Sequence, residues 1–84
     1  MKTTIIREGT VDGHAVKLRT HPEQEDKWLV TKRGKVIGLV SVFPTRRYHL
    51  DLYYSRNGYT LVEDFDSLDE TWEKIKGYIS YFNL

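Results

Sequence analysis

From Phe65 onward the apolar positions fall at helical spacing. Leu68, Trp72, Ile75, Ile79 and Phe82 recur at intervals of four, three, four and three, which places them on one stripe of an α-helix. Ser67 followed by Glu70 forms a capping box, in which each side chain satisfies a backbone N–H that the first turn leaves free. Asp69, Glu70 and Glu73 lie near that positive end and Lys74 and Lys76 further on, as the helix dipole favours. Gly77 falls inside the helix at a cost of about 1 kcal/mol relative to Ala. It reads first as a tolerated surface glycine and second as a point where another backbone comes close.

Before Phe65 the pattern changes to alternation, broken by tight turns, and predicts three hairpins. Thr3 to Thr10 and His14 to Thr20 flank Asp12-Gly13, a two-residue turn signal. That turn sets Gly9 opposite Val16, Arg7 opposite Leu18 and Ile5 opposite Thr20, with Glu8 opposite Lys17 on the other face. His21 to Asp26 is a polar loop, and Pro22 excludes a central strand there. Lys27 to Thr31 and Lys35 to Phe43 flank Arg33-Gly34. A two-residue loop sets Trp28 against Leu39, and a three-residue loop with a glycine bulge sets it against Gly38. Val36 to Phe43 is apolar on both faces, which predicts the central and most buried strand. Tyr48 to Ser55 and Tyr59 to Phe65 flank Asn57-Gly58, a register that pairs Leu50 with Phe65 and Leu52 with Glu63. Its other face pairs His49 with Asp66, Asp51 with Asp64 and Tyr53 with Val62. The expected fold class is α+β, an antiparallel meander of about six strands with one C-terminal helix packed on one face. The helix stripe should meet Val16, Leu18, Trp28, Val30, Leu50 and Leu52.

The 84 residues suit one domain with a small core. Cysteine is absent, which excludes a disulfide scaffold, a cysteine-liganded zinc and a thiol nucleophile, and suits a reducing cytosol. The opening Met-Lys-Thr-Thr-Ile-Ile-Arg-Glu has too short an apolar run for a signal peptide or a membrane span. A soluble, cytoplasmic protein without membrane contact is expected. Charge is uneven: residues 1–56 carry eleven Lys/Arg against six Asp/Glu, and residues 57–84 carry two against six. The strand half is basic and the helix half acidic, a dipolar surface that steers charged partners.

Candidate chemistry is sparse. In the predicted register His49, Asp51, Asp64 and Asp66 share one face, an arrangement suited to a divalent metal or a shared proton. It has no supporting motif, and its alternative is the solvated outer face of a hairpin. Of the four serines, Ser67 is explained as a cap, and none of Ser41, Ser55 or Ser80 lies in a nucleophile elbow. Arg33-Gly34-Lys35 lacks the glycine spacing of a phosphate loop. The chain therefore reads as a non-enzymatic binding module with no cofactor and no metal.

Two surfaces are candidates for its partner. Lys32, Arg33, Lys35, Arg46 and Arg47 cluster at two turns, and Tyr53 is the aromatic residue that the register turns outward. Basic and aromatic groups together neutralise phosphates and stack bases, so electrostatic nucleic-acid binding is the first expectation. The two turns flank opposite ends of one strand and should lie about 30 Å apart. Glu63, Asp64, Asp66, Asp69, Glu70 and Glu73 surround the sheet-to-helix corner. They support the second expectation, a protein-binding regulator or inhibitor of a phage or mobile-element kind, acting through that corner or through a strand edge.

Trp28-Leu29-Val30, Gly34-Lys35 and Phe65-Asp66-Ser67-Leu68-Asp69-Glu70 together resemble the layout of small sheet-plus-helix modules such as the arm-binding domains of tyrosine integrases. The shared residues each follow from strand, turn and capping chemistry. The six strands predicted here exceed that domain's three, so the resemblance carries over no functional residue.

Overall fold

A computed structural model describes residues 3–54 and 59–84. Among the described residues there are six strands and one helix: β1 (Ile5–Val11), β2 (His14–Thr20), β3 (Lys27–Lys32), β4 (Lys35–Val42), β5 (Tyr48–Tyr54), β6 (Tyr59–Phe65) and α1 (Leu68–Phe82). The strands form one antiparallel meander in chain order, and α1 covers one face. The fold is therefore α+β, as the alternation followed by helical spacing predicts. No helix among the described residues is long and apolar enough to cross a membrane.

The helix starts where its chemistry dictates. Ser67 is extended, with φ −142° and ψ 153°, and its hydroxyl accepts the Glu70 N–H at 3.1 Å. The helix ends on Asn83, in the left-handed region at φ 55°, whose N–H returns to the Ile79 carbonyl, an αL cap. No basic side chain lies in the last turn. Lys32 of β3 supplies the cation instead, donating from Nζ to the Leu84 carbonyl oxygen. A positive charge there complements the negative helix end.

The core lies between the helix stripe and one face of the sheet. Val16, Leu18, Val30, Val40, Leu50, Leu52, Phe65, Trp72, Ile75 and Ile79 are buried, with Val11 closing one side. Trp28 is only half-buried and stands against Tyr48 with ring centroids 5.7 Å apart. The helix backbone comes nearest to β1 on one side of the sheet and to β5 and β6 on the other, so the sheet curls round it. On the β1 side the Trp72 ring lies over Gly9, its edge 3.6 Å from where a Cβ would stand, an ordinary contact distance.

Three registers differ from the sequence prediction. In the first hairpin Arg7 pairs with Leu18 as expected, but a bulge then sets Ile5 opposite Arg19 rather than Thr20. Ile6 packs against the core, and the Thr20 hydroxyl accepts the Thr4 N–H at 2.8 Å. In the second, Arg33 and Gly34 both have positive φ, which makes a type I′ two-residue turn. A bulge between Val36 and Gly38 then shifts β4, so that Trp28 faces Val40, neither Leu39 nor Gly38. This turns Gly38 and Val40 toward the helix. The predicted Asn57-Gly58 turn lies outside the described residues. Tyr54 pairs with Tyr59, leaving four residues between the paired ends, and the register is two residues from that prediction. A two-residue slip keeps every side chain on its face. It exchanges the awkward Leu52–Glu63 pair for Leu52–Leu61 and brings Glu63 opposite Leu50, where it accepts the Tyr78 hydroxyl proton in a hydrogen bond.

β4 does stand inside the sheet, but it is not buried on both faces. Val36 and Phe43 are exposed and Leu39 is half-buried, because no layer covers the face opposite the helix.

Candidate functional site: the helix-free face of the sheet

The pairings define which side chains share the face away from α1. Arg19, Leu29, Leu39, Asp51 and Val62 form one cross-strand row, with Ile5 at its β1 end. Ser41, His49 and Asp64 belong to the next row, beside Lys27. Lys17, Thr31 and Val36 lie in the row on the other side. Six large apolar side chains stand out as exposed among the described residues: Ile5, Val36, Phe43, Tyr53, Val62 and Tyr81. Five of them are on or beside this face, and only Tyr81 belongs to the helix exterior.

His49, Asp51 and Asp64 do come together here. His49 Nδ1 lies 2.5 Å from Asp64 Oδ1, and its Nε2 lies 3.5 Å from Asp51 Oδ1. Asp66 does not join them. It lies past the end of β6 and pairs with Arg47 at 3.6 Å. Both imidazole nitrogens are thus turned to carboxylates, and no group of three or more His, Asp or Glu residues among the described ones is arranged to hold a metal ion. The row also brings Ser41 beside His49, a neighbourhood hidden in the sequence because it depends on the β4–β5 register. The serine hydroxyl accepts from Lys27 Nζ at 2.9 Å, and His49 Nε2 is aimed at Asp51. The nucleophile-to-base contact that hydroxyl catalysis requires is therefore not made.

The basic residues singled out from the sequence occupy two separate places. Lys32, Arg33 and Lys35 lie at the β3–β4 turn, where Lys32 is engaged with Leu84. Arg46 and Arg47 lie at the β4–β5 connection, where Arg47 is paired with Asp66. The eight residues of β4 keep these turns about 26 Å apart. Tyr53 is exposed on the helix-free face, nearer the first turn than the second.

The acidic residues are largely matched inside the chain. Asp69 pairs with Arg7 at 3.3 Å, Glu73 with Lys76 at 2.6 Å, Asp64 with His49 and Asp66 with Arg47. Glu63 holds Tyr78, and Glu70 sits in the first helical turn. The Glu63 hydrogen bond, partial burial and the Glu63 charge together hold the Tyr78 hydroxyl above the ordinary tyrosine pKa. On the outer side of the helix a shallow apolar groove of about 310 Å³ is lined by Lys74, Gly77, Tyr78, Tyr81 and Phe82.

Arg19 differs from the other cations of the sheet. Its Nε is buried and has no hydrogen-bond partner among the described residues. The sequence held no sign of its setting, because the pairing with Leu29 depends on the β2–β3 register, which no tight turn sets. No family model matches this chain, and no curated protein or solved structure matches it either.

Proposed function

We propose that this protein is a non-enzymatic binding module whose working surface is the helix-free face of the sheet, and that its partner is a protein. One observation carries the reading: five of the six exposed large apolar side chains gather on or beside that face, around a half-buried Leu29 and Leu39. Exposed apolar side chains concentrated on one face and set among polar ones are a mark of a protein interface. The acidic corner offers less, since most of its carboxylates already have partners within the chain.

Electrostatic nucleic-acid binding is the second reading. It is supported by Arg33, Lys35 and Arg46, which are exposed and have no ion pair among the described residues. One experiment separates the two. Wild type, Leu39→Glu and the Arg33→Glu/Lys35→Glu pair are used as baits in a crosslinking capture, and in parallel as titrants of single- and double-stranded DNA and RNA at about 50 mM salt, where phosphate contacts are strongest. The protein-binding reading expects Leu39→Glu to lose the captured partner and the turn variant to keep it. Loss on the turn variant alone, together with salt-sensitive nucleic-acid binding, overturns it in favour of the second.

A further inference from the structure

We infer that the helix-free face is built to pack against the same face of a second copy of this chain. The inference rests on the reading of that face as the working surface, and it names the partner. The central row reads, from β1 to β6, Ile5, Arg19, Leu29, Leu39, Asp51, Val62. In chemical terms the order is apolar, positive, apolar, apolar, negative, apolar. Reversing it exchanges the two charges and leaves everything else in kind.

That order is what a two-fold axis needs. An axis parallel to the strands, passing between β3 and β4, turns the second copy so that its β5 lies over β2 and its β4 over β3. Residues of one row keep their height along the strands. Arg19 then meets Asp51 of the second copy, Asp51 meets the second copy's Arg19, and Leu29 meets Leu39 in both directions. This is an isologous contact, self-complementary by symmetry, and it stacks the two sheets with strands nearly aligned, as in a β-sandwich.

Arg19 itself is half-buried. Its Nε is shielded and without a hydrogen-bond partner among the described residues, so the outer end of the guanidinium, not Nε, is what Asp51 of the second copy meets. Among the described residues the Asp51 carboxylate makes a 3.5 Å contact with His49, which leaves it acceptor sites to spare.

Curvature limits the contact. The sheet curls round α1, so the helix-free side is convex and the four inner strands make the closest approach. About 20 Å by 20 Å of sheet then meets on each side, roughly half the 800 Å² per partner of a standard interface. The expected dimer is weak, with dissociation around 100 μM.

Sedimentation equilibrium tests this on the full chain. The wild type should move from the 9.9 kDa monomer toward twice that mass as concentration rises from about 10 μM to about 1 mM, the range that brackets such a dissociation constant. Arg19→Asp and Asp51→Arg should each remain monomeric, because each sets like charges together twice per dimer. Mixed in equal amounts they should dimerise again, since every contact in the mixed pair joins opposite charges. The double variant should dimerise with itself. A wild type that stays monomeric at about 1 mM overturns the inference. So do single variants that dimerise like the wild type, or folded single variants that fail to recover on mixing. If the wild type is monomeric while Leu39→Glu still abolishes capture of a different protein, the second copy is excluded and the face remains the working surface. If Leu39→Glu changes neither, both readings fall.

Discussion

Gly38 shows how much a single position constrains this sheet. It lies on β4 between Val30 and Leu52. A Cβ there would stand 2.6 Å from Leu52 Cδ2 and 2.7 Å from the Asp51 carbonyl oxygen. The leucine can rotate, but the backbone oxygen is tied into the β4–β5 ladder. Gly38→Ala should therefore cost about 1–3 kcal/mol, the usual penalty of overpacking. Urea melts against the wild type measure it, and a loss below about 0.5 kcal/mol would mean that β4 and β5 separate easily. Tyr78 is the second informative residue. Its hydrogen bond to Glu63, its partial burial and the nearby carboxylate charge all hold its pKa above the ordinary value, which is about 10. A group raised in the folded state contributes stability that is complete below its unfolded pKa and is lost as pH rises through the folded one. The Tyr78–Glu63 contribution should accordingly be intact at neutral pH and disappear above about pH 10. Tyrosinate absorbance should show a tyrosine titrating late, and Glu63→Gln should make that titration earlier.

At the scale of elements, the helix and its N-cap account for the sharpest agreement between pattern and structure. Ser67 caps as its spacing to Glu70 implies, and Thr71, which the apolar stripe omits, is fully buried with its hydroxyl donating to the Ser67 carbonyl at 2.7 Å. Gly77 has nothing within 4 Å of an added Cβ, which settles it as a surface glycine. Ser67→Ala should lose about 1 kcal/mol, the cost of an N-cap, and Gly77→Ala should gain up to about 1 kcal/mol through helix propensity. Thermal melts of the two variants should shift in opposite directions. A Gly77→Ala variant less stable than wild type would show that the groove beside Tyr78 and Phe82 needs its open floor. The strands agree less completely. Asp12-Gly13 and Arg33-Gly34 turn as predicted, with positive φ at all four residues, yet each hairpin carries a bulge beyond its turn. Turn chemistry sets the first pairs of a hairpin, while packing on the helix decides where an extra residue enters.

For the whole molecule, the partition of charge seen along the chain is partly cancelled across the fold. Arg7–Asp69 and Arg47–Asp66 tie the basic strand half to the acidic end. Both pairs are largely exposed and contribute little to stability, but they take up charges that the sequence offers to partners. What remains is an uncovered sheet face with a positive and a negative group at matched heights. A single 15-residue helix cannot cover both faces of a six-stranded sheet, so one face, with its mixed row of apolar and charged side chains, is left uncovered by it. That mismatch between the number of strands and the number of helices is why the uncovered apolar side chains lie where they do.

The sequence by itself determined the element order, the α+β class, the helix stripe and its N-cap, and the alternation of faces within the first and third hairpins. Each of these depends on neighbours a few positions apart, through period two, period three to four and the φ demands of Asp-Gly and Arg-Gly. Which face of β4 meets the helix was left to the structure. The tertiary structure alone decided the register of the β5–β6 pair, the bulges at Ile6 and Ile37, and the pairing of Asp66 with Arg47. These depend on contacts between residues far apart in the chain: Glu63 with Tyr78, Ile6 with the core, Gly38 with Leu52. The candidate site belongs to the second kind. His49, Asp51 and Asp64 were legible as one face because a two-residue slip preserves faces. The row from Ile5 to Val62 was not, because it exists only when five strand pairings, two of them shifted by bulges, bring six separate residues to one height.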